Sequence, residues 1–149
     1  MVTADNFPRL FTIDEANELL PTLRPLLEKV LENIRRLKSR SERVIVDGNL
    51  DPDAPNLMED LRRDSEIEKL VTEIKLWVDE IHGHGCTCKG VEQGLIDFPC
   101  MLGSEVVFLC WQLGEPKVAF WHRIEDGFAG RKTLLDAGDD IEKAKDSYH

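Results

Sequence analysis

Glu105-Val-Val-Phe-Leu-Cys-Trp-Gln-Leu-Gly-Glu-Pro-Lys-Val-Ala-Phe-Trp-His122 decides the fold. Two short runs rich in β-branched and aromatic residues flank Leu-Gly-Glu-Pro, a turn sequence, so the stretch reads as a β-hairpin with strands over 105–111 and 117–122. Side chains alternate along a strand. Pairing of like parity puts Val106, Phe108, Cys110, Val118, Phe120 and His122 on one face, and Val107, Leu109, Trp111, Ala119 and Trp121 on the other. Both faces are largely apolar, so both need cover from a helix, a loop or another subunit. Working upstream, 95–101 has the same character and is joined to the hairpin by Leu-Gly-Ser, which makes a three-stranded antiparallel meander.

Before residue 86 the period changes. Thr12-Ile-Asp-Glu15 matches a capping box, in which the Thr hydroxyl and the Glu carboxylate satisfy amide donors at a helix start. From there Ala16, Leu20, Leu23, Leu27, Val30, Ile34, Leu37, Ser41 and Val44 recur in steps of four and three, one stripe along a long helix. Pro21 and Pro25 lie off the stripe, and each removes a backbone donor, so a kink or break near Leu20 is expected. Turn-forming residues crowd 47–56 and reverse the chain. A second helix follows on Ile67, Leu70, Ile74, Trp77 and Ile81, and Gly83 and Gly85 end it. The expected architecture is α+β within a single domain: a long antiparallel helical hairpin over 11–82, a small three-stranded antiparallel sheet and loop over 86–134, and a flexible acidic tail over 135–149.

With 19 Lys and Arg against 29 Asp and Glu, the net charge is −10, the wrong sign for a phosphate backbone or an anionic lipid surface. No run is apolar enough to span a bilayer, and the N-terminal residues lack the pattern of a signal peptide, so a cytoplasmic setting is expected. Cys86, Cys88, Cys100 and Cys110 are accordingly read as thiols or metal ligands and not as disulfides.

Phe-Thr-Ile-Asp-Glu-Ala-Asn-Glu-Leu-Leu-Pro at 11–21, Gly-Leu-Ile-Asp-Phe-Pro at 94–99, Leu-Cys-Trp at 109–111, Gly-Glu at 114–115, Trp-His at 121–122 and Gly-Phe-Ala-Gly-Arg at 127–131 together resemble the bacterial "domain of unknown function 2203" family. The resemblance implies the helical hairpin with its small sheet and a bacterial cytosolic setting, and it carries over no activity, cofactor or catalytic residue. Cys88, Cys100 and the His82-Gly-His84 approach are additions to the family pattern, so a metal site built on them would belong to this chain and its near relatives.

Three constellations bear chemistry. His82, His84, Cys86 and Cys88 alternate, and in an extended chain four such donors share a side, but seven consecutive residues strain a tetrahedral site. A better-shaped zinc or iron site joins Cys86 or Cys88 to Cys100, Cys110 or His122. Their ordinary reading is a pair of exposed imidazoles at a helix end and small core thiols. The second set is Asp97, Glu115, His122, Glu125 and Arg131: His122 as acid/base, Glu115 or Asp97 as its orienter, and Arg131 for an anion. Its ordinary reading is a set of capping and surface contacts. The third set is aromatic, with Trp111 and Trp121 as interface residues on the sheet face lacking an obvious cover.

The sequence favours a non-enzymatic interaction module, a homo-oligomer or a protein partner's binder acting through the helical seam, with no nucleic acid and no membrane involved. A metal-binding protein and a small-molecule enzyme using His122 are the alternatives.

Overall fold

The computed structural model describes residues 4–134, and the tail expected over 135–149 lies outside the described residues. A 3-10 turn at Ala4–Asn6 leads into three helices, α1 (Ile13–Asp47), α2 (Leu57–Leu61) and α3 (Ser65–Gly83). Five strands follow, β1 (Thr87–Gly90), β2 (Leu95–Leu102), β3 (Glu105–Gln112), β4 (Phe120–Arg123) and β5 (Lys132–Thr133), with a second 3-10 turn at Phe128–Gly130.

The capping box starts α1 as expected: Glu15 N donates to Thr12 Oγ1 at 3.1 Å, and Thr12 N donates to Glu15 Oε1 at 2.9 Å. The helix then runs through Pro21 and Pro25 without a break, a correction to one of the two expected outcomes. Both prolines are exposed and stand four residues apart, so the carbonyls they leave without an amide partner, those of Asn17 and Pro21, fall on one side of the helix. The opposite side buries Ala16, Leu20, Leu23, Leu27 and Val30, the first half of the apolar stripe. Further along, α1 packs on α3. Buried Asn33 donates Nδ2 to the Leu70 carbonyl at 3.4 Å and to Glu73 Oε1 at 3.3 Å, and Arg40 grips both carboxylate oxygens of Asp64, the N-cap of α3, at 3.1 and 2.7 Å. The outer half of the hairpin therefore combines these polar clamps with buried Leu61, Ile67 and Leu70, and the inner half is held by apolar packing.

The sheet has the order β1-β2-β3-β4-β5, every neighbouring pair antiparallel. The three expected strands are present, and two more extend the meander. β1 is built from the Cys86 to Cys88 region, where alternating donors had suggested a ligand cluster, and β5 is a two-residue strand closing the edge of β4. β4 starts at Phe120 and not at 117, because the Val118 amide donates to Asn17 Oδ1 of α1 at 2.7 Å. The β2–β3 hairpin turns at Gly103, whose φ of 61° is the left-handed conformation a tight hairpin favours.

Register separates the two faces. Ile96, Phe98, Cys100, Val107, Leu109, Trp111 and Trp121 form the core with the buried side of α1 and with Ile81 of α3. Trp111 and Trp121 are 0% and 5% exposed, so the helices of the same chain supply the missing cover and neither ring has surface to offer a partner. The opposite face carries Asp97 opposite Cys110 and Phe108 opposite His122. Its cover is thinner: Phe7, ahead of α1, meets Phe108 edge-on at 5.7 Å between ring centroids. No helix among the described residues is long and apolar enough to cross a membrane.

Candidate functional site

Three strands each deliver one polar side chain to the centre of that second face. Asp97 comes from β2, Cys110 from β3 and His122 from β4, and they are 3%, 1% and 3% exposed. One donor atom from each lies within 4.8 Å of the others, and no other group of three or more such residues assembles among the described residues. The strand pattern explains the convergence. A sheet face collects every second residue of each strand, and the registers Asp97 to Cys110 and Cys110 to Phe120 put the three strands' inward positions side by side.

His122 is fixed through both ring nitrogens. Nδ1 stands 2.8 Å from the Arg123 carbonyl, which can only accept, so Nδ1 carries a proton; Nε2 stands 3.2 Å from Asp97 Oδ1. Burial by itself would push the imidazole down. The hydrogen bond to Asp97, with those to Cys110 and to the Arg123 carbonyl and the Asp97 charge, overrules it and raises His122 to about 10. Without a metal the ring is therefore an imidazolium at neutral pH, held between a carboxylate and a carbonyl. Cys110 also interacts through its side chain with the Arg131 guanidinium.

The trio forms part of the wall of a cavity of about 350 Å³. Phe7, Leu95, Phe108, Ile124 and Phe128 make the rest of the wall largely apolar, and Lys89 adds one cation. A small, largely apolar recess with a few convergent polar groups is the usual form of a ligand site.

The other sequence candidates go elsewhere. His82 is exposed in the last turn of α3, and His84 ends that helix, its amide donating to the Ile81 carbonyl at 3.1 Å. Cys86 donates its thiol to the Ile81 carbonyl at 3.3 Å. Cys86, Cys88 and Cys100 belong to the core, where burial pushes their thiols up to about 12, about 11 and about 12, the Asp97 charge adding to the effect at Cys88. The alternation that suggested four converging ligands puts Cys88 on the core face and its neighbours Thr87 and Lys89 on the other. Glu115 lies in the β3–β4 turn and accepts from the Gln112 amide and from Arg131 Nη2, each at 2.6 Å, so Asp97 and not Glu115 orients His122. Arg131 also donates to the Cys110 carbonyl at 3.2 Å and lies over the rings of Phe120 and Phe128, so it braces the strand and does not stand open as an anion clamp. Glu125 is exposed beyond β4. The sequence reading missed Lys89, Phe7 and Ile124 as cavity residues; the register of β1 shifts between Cys88 and Gly90, so alternation along the strand gave no signal for Lys89.

This geometry suits one divalent metal ion. Aspartate oxygen, cysteine sulfur and histidine nitrogen are all zinc ligands, and donors on a tetrahedral zinc lie roughly 3.3–3.8 Å apart, given bonds of about 2.0–2.3 Å. From a separation within 4.8 Å, the trio needs to close by about 1.5 Å at most. The Nδ1 hydrogen bond to a backbone carbonyl is the outer contact that orients an Nε2 ligand.

Residues 9–134 match the model of a family described as an uncharacterized conserved protein, DUF2203, and the chain belongs to that family. No curated protein and no solved structure matches the chain.

Proposed function

We propose that this member of the DUF2203 family binds a single divalent transition metal, zinc foremost, through Asp97, Cys110 and His122, and presents the ion's remaining position to the cavity. The observation that carries this reading is the convergence of three different donor types from three strands, with His122 already oriented through Nδ1. Structural zinc sites are closed by four protein ligands, whereas three ligands beside a cavity leave room for a water or a ligand molecule. The test is native mass spectrometry of the whole chain at micromolar free zinc, before and after chelation, with Cys110→Ala and His122→Ala beside the parent. One zinc per parent chain and none in either variant is the expected result. Cobalt substitution adds a readout of thiolate ligation, since a cobalt–sulfur charge-transfer band is expected in the parent and absent in Cys110→Ser. A parent chain that takes up no metal overturns the reading.

Self-association through the hairpin is a second reading. It is supported by Val46 and Met58, which are 75% and 55% exposed near the hairpin's reversal. Sedimentation equilibrium tests it, and a concentration-independent monomer overturns it.

A further inference from the structure

We infer that the cavity beside Asp97, Cys110 and His122 takes a small monocarboxylate with an apolar body, its head on the metal's open position and beside Lys89. This deepens the metal-site reading and rests on it.

Charge selects the head group. Among the cavity's lining residues the charged groups are Lys89, Asp97 and His122. Asp97 and His122 face each other at 3.2 Å, and Glu115 and Arg131 form a separate pair at 2.6 Å. Lys89 has no carboxylate partner in the ion pairs of the described residues, and its Nζ lies 5.3 Å from the Phe108 ring centroid. A divalent ion held by Asp97, a Cys110 thiolate and neutral His122 would leave that set neutral, so among the described lining residues Lys89 would be the charge left to match and one negative charge would complete the site. In a chain of net charge −10, Lys89, which has no carboxylate partner in the ion pairs of the described residues, is a local departure at the cavity wall that favours an anion there.

Shape and wall chemistry select the body. About 350 Å³ is near the lower end of the roughly 300–1,000 Å³ range of ligand cavities, which suits a molecule the size of one substituted ring or a short acyl chain. Phe7, Phe108, Ile124 and Phe128 offer it apolar contact. Phe128 is 43% exposed although aromatic, and it stands on a 3-10 turn that follows Gly127, with the Arg131 guanidinium 4.9 Å from its ring centroid. A bound apolar body would cover this ring.

The probe is phenylacetate, with 2-phenylethanol as its neutral analogue and phenylethylamine as its cationic one. Calorimetric titrations are run on the zinc-loaded and the metal-free chain, with zinc content measured by native mass spectrometry. Phenylacetate is expected to bind the zinc-loaded chain at least tenfold more tightly than either analogue and at least tenfold more tightly than it binds the metal-free chain. Lys89→Met and Phe128→Ala are expected to weaken it about fivefold each while retaining one zinc, which certifies their folding. One zinc per chain with no preference for the carboxylate overturns this inference and leaves the metal reading standing. Equal binding to the metal-free chain overturns the placement of the head on the metal, and a chain that takes no zinc removes both.

Discussion

His122 Nε2 stands 3.2 Å from Asp97 Oδ1 while Nδ1 is committed to the Arg123 carbonyl at 2.8 Å, and both residues are 3% exposed. Two buried groups so arranged must settle their protons together. In the chain as it stands both ring nitrogens of His122 have partners; a metal held as proposed would take the place of the Nε2 proton. The contact of Nδ1 with the Arg123 carbonyl would be kept in either state.

The sign of the pH dependence follows from the raised imidazole. His122 titrates at about 10 in the folded chain against an ordinary 6.5. The stabilisation from its protonated form is therefore fully present below pH 6.5 and is lost as pH rises through about 10. Urea unfolding of the metal-free chain at pH 6, 8 and 10.5 is expected to show the parent's stability advantage over His122→Gln shrinking across that window. A constant difference between the two would show that the ring is not held in its charged form.

The three core thiols give a prediction that separates them from the site. Cys86, Cys88 and Cys100 are buried, and burial raises all three to about 11 or 12, so little thiolate exists at pH 8. Native protein treated with iodoacetamide at pH 8 and mapped by peptide mass spectrometry should carry no label on these residues, and urea should expose all of them. Cys88→Ala is expected to leave zinc uptake at one ion per chain; loss of zinc in that variant would put the metal at the β1 edge instead.

How far the sequence leads is clearest at these residues. The capping box, the first half of the apolar stripe and strand β3 are local patterns that appear in the structure where their spacing puts them, whereas β4 starts three residues later than its run of strand formers. β1 is four residues long and β5 two, too short for alternation to stand out from a loop. His122 stood in two sets, with Cys110 among the metal ligands and with Asp97 among the acid/base residues, but no set held all three, because like parity joins Cys110 to His122 and says nothing of Asp97. The missing link is register. The Gly103-Ser104 turn joins Leu102 to Glu105 as opposite residues, and counting back from that pair sets Asp97 against Cys110. The cavity wall was less legible, since Phe7 reaches Phe108 only through tertiary packing of the segment ahead of α1.

Arg131 is predicted to be a bracing residue. Its guanidinium joins Glu115 in the β3–β4 turn to the Cys110 carbonyl of β3, and it lies 4.1 Å from the Phe120 ring centroid. Lysine keeps the charge but not the planar fork or the stacking. Arg131→Lys is expected to cost about 1–3 kcal/mol in urea unfolding, the range for disturbing a partly buried hydrogen-bonded charge. Its zinc content should stay at one per chain. A variant of full stability that no longer binds zinc would instead make Arg131 part of the metal's surroundings.

Pro21 and Pro25 allow the helix to be improved. Each lies inside α1, where proline removes a hydrogen bond and crowds the carbonyl four residues earlier, a cost of about 3 kcal/mol in a regular helix interior. Both are exposed, so replacement removes no core packing. Pro21→Ala restores a donor to the Asn17 carbonyl, and Pro25→Ala restores one to the carbonyl of residue 21. Part of the gain is offset because proline also restricts the unfolded chain. The expected net effect is a stabilisation of about 1–2 kcal/mol for each, read as a higher urea midpoint with an unchanged slope. Asn17 offers an internal check, because its side chain accepts from the Val118 amide at 2.7 Å and so couples this turn of α1 to the start of β4. If Pro21→Ala destabilises the chain instead, the local bend that proline imposes is needed to seat α1 on the sheet, and the contact between Asn17 and Val118 is the first place its loss should be felt.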